Sequence, residues 1–218
     1  AKYLHITSNN TVRGSQYHQL PTTDLPIVAD ASSDIFTQSL DLDRYGLIYA
    51  GAQKNIGPAG TTLVIVKKAL LGKIDRDIPT MLDYRTHIKK GSSFNTPPVF
   101  PIYVSMLNLR WVKAEGGVTE MEKRMQAKAA LMYAAIDRNP LFECPIAVED
   151  RSLLNAVFIL KDESLTEKFL ASCKDAGCSG VKGHRSVGGF RASMYNAMDI
   201  SSVQVLVNVM DEFANQFG

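Results

Sequence analysis

The sequence predicts an α/β protein, a mainly parallel sheet with flanking helices followed by a smaller α+β unit. Three observations carry this reading. Short apolar runs bounded by turn residues fill the first third of the chain, helical spacing takes over in the middle, and strand and helix patterns alternate towards the end. The chain opens Ala1-Lys2-Tyr3-Leu4-His5-Ile6-Thr7, without an initiator Met and with strand-like alternation almost at once. That start is expected of a processed or truncated chain beginning in mid-domain.

Leu25 to Asp30 and Tyr45 to Ala50 are apolar runs suited to strands buried on both faces of a sheet. Thr61 to Val66 is rich in β-branched residues and follows a loop containing Gly57, Pro58 and Gly60. Around Ile102, Met106 and Leu109 the spacing becomes three and four, and Gly116-Gly117 stops that helix. Thr119 and Glu122 then form a capping-box pattern before Met121, Met125, Ala129, Met132 and Ile136, a stripe that reads as packing. Asn155 to Leu160 alternates as a strand, Ser164 to Glu167 opens a helix that Gly177 can close, and Gly189 to Asn196 alternates again. A last helix puts Val203, Leu206, Val207, Met210 and Phe213 on one face. The division is expected near Gly116-Gly117, giving segments 1–115 and 116–218.

Composition narrows the function. Of 218 residues, 45% are hydrophobic and 21% charged, as in water-soluble globular proteins. Net charge is +2 and the 24 basic residues are dispersed, so no nucleic acid or anionic membrane is expected as a partner. No apolar run approaches the roughly 20 residues a bilayer requires and no secretory pattern opens the chain, so the expected location is the cytoplasm. Cys144, Cys173 and Cys178 lack CxxC spacing, and the four histidines do not complete a metal set, so reduced thiols and no metal are expected.

Asp30 closes one predicted strand, and Lys54 lies just beyond the next in Gly51-Ala52-Gln53-Lys54-Asn55-Ile56-Gly57-Pro58-Ala59-Gly60. Ligands of open α/β sheets bind at such carboxyl ends, so an acid and an amine could share one cleft. Spacing alone also allows Asp30 to Asp34 to be a capped turn and Lys54 a solvated charge.

The wording of four segments is more specific. Val28 to Ser33, Tyr49 to Gly60, Phe94-Asn95-Thr96-Pro97-Pro98 and Gly183 to Ser193 closely resemble phosphoserine aminotransferases, in that family's order. The resemblance runs from Asn9-Asn10-Thr11 to the C-terminus, and the family's subunit has a further section upstream. It implies part of the large domain of a fold-type I pyridoxal 5'-phosphate transferase and a small C-terminal domain. It implies a homodimer that exchanges an amino group between O-phospho-L-serine with 2-oxoglutarate and 3-phosphohydroxypyruvate with L-glutamate, in serine biosynthesis and in many bacteria also in pyridoxine biosynthesis.

The same resemblance assigns roles. Lys54 would hold pyridoxal phosphate as a Schiff base and, once released, move the substrate Cα proton. Asp30 would keep the pyridine nitrogen protonated, Thr11 would bond the phenolic oxygen, and Gln53 would hold the cofactor phosphate. Asn95 and Thr96 would reach the cofactor phosphate in the neighbouring subunit. Arg191 would clamp the substrate α-carboxylate with its planar fork, and His184 with Arg185 would meet the substrate phosphate. Without the resemblance, Asn95-Thr96 reads as a turn before two prolines and the 183–193 stretch as a surface hairpin. His5, His18 and His87 receive no role, and Trp111 is expected in the core. Rival readings are another class V aminotransferase, such as an alanine–glyoxylate enzyme, or a catalytically inactive fragment that only folds or associates.

Overall fold

In the computed structural model, which describes residues 1–218, the chain joins a sheet at β1 (Leu4–Thr7). A short antiparallel hairpin follows, β2 (Asn9–Asn10) with β3 (Ser15–Gln16), and then β4 (Ile27–Asp30), β5 (Tyr45–Gly51) and β6 (Thr62–Val66). The first sheet has the order β1-β4-β5-β6, parallel across β1, β4 and β5. The last strand turns back antiparallel to β5, because the loop from Ala52 to Thr61 is too short for the crossover that parallel pairing demands.

Ile6, Ile27, Ala29, Ile48, Ala50 and Ile56 form the core of this sheet. Burial on both faces, expected for β4 and β5, holds only in part: β4 buries Ile27 and Ala29 but leaves Val28 and Asp30 half-buried, and β5 leaves Leu47 and Tyr49 half-buried. At the edge of the sheet β6 buries no residue, and one of its flanks has no strand neighbour.

Five helices and a second sheet complete the chain. They are α1 (Tyr84–Lys89), α2 (Val99–Ala114), α3 (Gly117–Arg138), β7 (Phe142–Glu143), β8 (Asn155–Leu160), α4 (Thr166–Asp175), β9 (Phe190–Ser193) and α5 (Ile200–Phe217). The order β7-β8-β9 is antiparallel throughout. Met132, Ile136, Phe158, Phe169, Val203, Leu206, Met210 and Phe213 share its core. Phe142, Phe158, Phe169, Phe190 and Phe213 are each no more than 2% exposed, and Phe169 meets Phe190 edge-to-face at 4.9 Å.

The capping box expected at Thr119 and Glu122 does not form. The helix begins three residues earlier, behind Gly116 in the left-handed region at φ 107°, and Thr119 falls inside its first turn. Glu122 instead accepts a hydrogen bond from the Ser39 amide at 3.3 Å. At α4 a 3-10 turn (Glu163–Leu165) precedes the helix, capped by the Asp162 carboxylate, which accepts from the Ser164 amide at 2.9 Å. Trp111 is half-buried, not a core residue. The three cysteines are free thiols, no His/Cys/Asp/Glu group is arranged to hold a metal, and no helix is long and apolar enough to cross a membrane.

The segment from Asn9 to Gln16 crosses from the first sheet to the second. Its turn residue Gly14 has φ 76°, and a Cβ there would stand 2.7 Å from Val157 Cγ2, so the crossing is possible only with glycine at that point.

Candidate active site

Lys54 sits three residues past the carboxyl end of β5. The turn that carries it is anchored at buried Ala52, whose amide donates to Thr61 O at 3.0 Å and whose carbonyl accepts from Gly57 at 2.7 Å. From this fixed base Lys54 Nζ donates to Thr11 Oγ1 at 2.5 Å. Thr11 lies in the turn between β2 and β3, shaped by Asn10 Oδ1, which accepts from the amides of Val12 at 3.1 Å and Arg13 at 3.0 Å.

Arg191, on β9, approaches the same residue from the second sheet, its Nη1 donating to Thr11 O at 3.2 Å. Thr11 therefore joins an amine and a guanidinium that belong to different sheets. Arg191 Nε is buried and has no partner. An unpaired buried N–H costs roughly 1–3 kcal/mol, and a carboxylate is the group whose geometry matches the guanidinium edge.

Asp30 ends β4 beside the end of β5, in register with Tyr49. Its Oδ1 accepts from the Ser32 amide at 2.9 Å, and Ser32 Oγ accepts from the Gly51 amide at 3.0 Å. These two bonds tie the acid's turn to the strand end that leads to Lys54. Burial first, and then the Asp30 charge beside it, push the Tyr49 phenol above its ordinary range. Asp30 and Lys54 make no direct hydrogen bond.

Five other expected site residues stand apart. Gln53 is exposed and its amide folds over Gly51. Asn95 and Thr96 are exposed in the loop between α1 and α2. His184 and Arg185 are exposed in the loop before β9, where His184 Nδ1 lies 2.7 Å from Ser186 Oγ. That loop is tight at Gly183, where any Cβ would collide with the Gly188 carbonyl. None of the five bonds to Lys54, Thr11 or Arg191.

Sequence reasoning overlooked Tyr195, whose ring centre is 5.9 Å from Lys54 Nζ. Together with Asn55, Asn108, Asn196 and Met198 it lines a cavity of about 300 Å³ that Lys54 borders. The signal was present: residues 191, 193 and 195 share parity along one extended segment, so Tyr195 follows Arg191 on the same side. A buried polar network backs the cavity. Asn55 Oδ1 accepts from the Asn196 amide at 3.1 Å, Asn108 Nδ2 donates to Asn55 O at 2.7 Å, and Asn9 Nδ2 donates to Asn155 Oδ1 at 2.9 Å.

An amine, a hydroxyl and a guanidinium with a free buried N–H thus converge, and a strand-end carboxylate is tethered alongside. This donor set fits a small anionic carbonyl compound, with the amine for the carbonyl carbon and the guanidinium for a carboxylate.

The sheet order and the lysine at its carboxyl edge define an α/β protein with an amine at its strand ends. The family model for class-V aminotransferases matches residues 1–206, and the chain belongs to that family. A phosphoserine aminotransferase of Flavobacterium johnsoniae is 60% identical over 210 residues, covering 96% of this chain and 59% of its own length. The solved phosphoserine aminotransferase from Bacillus circulans subsp. alkalophilus superposes with a TM-score of 0.95 at 43% identity, over 99% of this chain and 60% of that one. The PLP-bound phosphoserine aminotransferase from Trichomonas vaginalis gives a TM-score of 0.91 at 36% identity, over 96% of this chain and 60% of that one. The chain spans about 60% of the length of the relatives it matches.

Proposed function

We propose that this chain is the lysine-bearing part of a phosphoserine aminotransferase, which uses pyridoxal 5'-phosphate to convert O-phospho-L-serine and 2-oxoglutarate into 3-phosphohydroxypyruvate and L-glutamate. The observation that carries the proposal is the meeting of Lys54 and Arg191 on Thr11. Bound pyridoxal phosphate supplies an electron-withdrawing ring that makes the substrate Cα–H acidic.

The chain's own residues do the rest. Lys54 would hold the cofactor through Nζ and, as a free neutral amine, would accept the substrate Cα proton on Nζ. Thr11 keeps Lys54 in reach through its hydroxyl. Asp30, fixed by the Ser32 amide, holds a proton on the ring nitrogen, and Gln53 binds the cofactor phosphate. Arg191 receives the substrate α-carboxylate on its free Nε edge, which sets the face that Cα presents to Lys54. His184 and Arg185 bind the substrate phosphate, so serine, which lacks that anion, leaves both donors unanswered.

The reading includes residues 1–115 as the C-terminal portion of the cofactor-binding domain and 116–218 as the small domain. It also includes a cytoplasmic homodimer in which exposed Asn95 and Thr96 reach the neighbouring cofactor phosphate. The pyridoxine-pathway reaction on the related phosphorylated threonine fits the same donors. A second reading is another class-V aminotransferase activity, since the class-V family model matches residues 1–206.

Assaying amino transfer from O-phospho-L-serine, L-serine and L-alanine to 2-oxoglutarate separates these readings. The proposal expects activity with phosphoserine and at least ~10²-fold less with serine, because a missing anion leaves binding groups unpaired. Turnover of alanine without phosphoserine would assign the chain to another class-V activity.

A further inference from the structure

Beyond the residues above, one buried cation faces the site from behind. The α3 stripe Met121, Met125, Lys128, Met132 is a run of core positions, and Lys128 is only 1% exposed among them. A lysine in an apolar stripe is costly unless its ammonium is satisfied. Here Nζ donates to Tyr195 O at 2.7 Å and to Met198 O at 3.0 Å, both within the segment joining β9 to α5. It makes no ion pair.

That segment is one wall of the Lys54 cavity. Tyr195 puts its ring 5.9 Å from Lys54 Nζ, the Asn196 amide bonds Asn55 Oδ1, and Met198 lines the same cavity. Asn196 Nδ2 also donates to Phe36 O at 2.9 Å, where Phe36 holds the left-handed φ of 61°. Resting on the reading under Proposed function, we propose that Lys128 is a positioning residue: its ammonium clamps the carbonyls of Tyr195 and Met198 and so fixes the wall against which Lys54 reacts.

Two carbonyls are the right partners for such a clamp. Both point inward to one point, and a single Nζ can answer both without the charge partner a carboxylate would need. Asp199, the acid whose charge acts on Lys128, is already committed to capping α5 through the Ser201 amide at 2.8 Å. Burial pulls the Lys128 ammonium down to about 8, opposed by Asp199 and assisted by Arg124, the charged groups that face it.

The test uses the chain itself, with Lys128→Met, which keeps the volume and deletes the donors, and Lys128→Arg, which keeps the charge. Two readouts are taken. The first is amide hydrogen exchange over residues 195–198 against 203–213. The second is the pH midpoint for labelling of Lys54 by pyridoxal phosphate and borohydride. Lys128→Met is expected to speed exchange at 195–198 at least ~10-fold while sparing 203–213, and to move the labelling midpoint by about half a unit or more. Lys128→Arg should restore both towards the parent. Unchanged exchange and an unchanged midpoint in Lys128→Met would overturn the proposal. Should that variant not fold, Asn196→Ala loosens the same wall from its outer side, and an unmoved midpoint there overturns it equally. If the parent chain is not labelled at Lys54, the proposed function fails, while the exchange measurement still decides the role of Lys128.

Discussion

Asp34 shows how one side chain can set a pH dependence outside the site. It is 5% exposed, Ser8 Oγ donates to its Oδ1 at 2.5 Å, and burial, against the Ser8 bond, lifts its carboxyl from 3.8 to about 6. Between those two values the folded chain holds a proton that the unfolded chain has released, so stability falls as pH rises through that window. The loss at neutral pH is on the order of 3 kcal/mol. Asp34→Asn keeps an acceptor for Ser8 and has no carboxylate to bury. It should flatten the fall of the melting temperature between about pH 4 and pH 6 and raise it at pH 7. An unaltered pH profile would assign the burial cost elsewhere. Single residues were unevenly legible in the sequence. Lys54 and Asp30 stood out as strand-end polar residues, whereas Lys128 reads as a solvated helical charge until its spacing with Met121, Met125 and Met132 is counted.

Elements were read best where the core imposes a period. The buried faces of α3 and α5 are those the spacing predicts, because each core-facing position must be apolar or satisfied. Starts of elements were read less well. Thr119 and Glu122 have capping chemistry, yet the glycine pair before them lets the chain turn in the left-handed region and begin the helix sooner. The two-face burial expected for β4 failed in part, Val28 and Asp30 staying half-buried, because what covers each face of a strand is a property of topology that a short apolar run does not encode. The phenylalanine cluster makes the second sheet's stability testable. Phe169, fully buried on α4, touches the rings of Phe142, Phe158, Phe190 and Phe213. Phe169→Ala should cost about 3–5 kcal/mol in urea unfolding, and a cost below ~1 kcal/mol would mean the cluster relaxes into the space.

For the whole molecule, the decisive contacts join distant parts of the chain. Thr11 and Arg191 are 180 positions apart, and no spacing rule brings them together; only the resemblance of whole segments to a family did so. Buried amides hold the two sheets in that relation. Asn155, fully buried on β8, accepts from Asn9 and donates to Ser193 Oγ at 3.2 Å and Tyr195 Oη at 3.3 Å. Asn155→Ala removes these bonds and should lower unfolding free energy by about 1–3 kcal/mol, read by calorimetry; an unchanged transition would show that the sheets are held by packing alone. The same crossing supplies the site, since the segment from Asn9 to Gln16 carries Thr11 from one sheet to the other.

The central claim is that Lys54 is the reacting amine of this junction. Incubating the chain with pyridoxal phosphate, reducing with borohydride and mapping the modified peptides tests it most directly. The account expects the label on Lys54, abolished by Lys54→Ala and weakened by Thr11→Val. A label spread over surface lysines, or concentrated on any lysine other than Lys54, would contradict it.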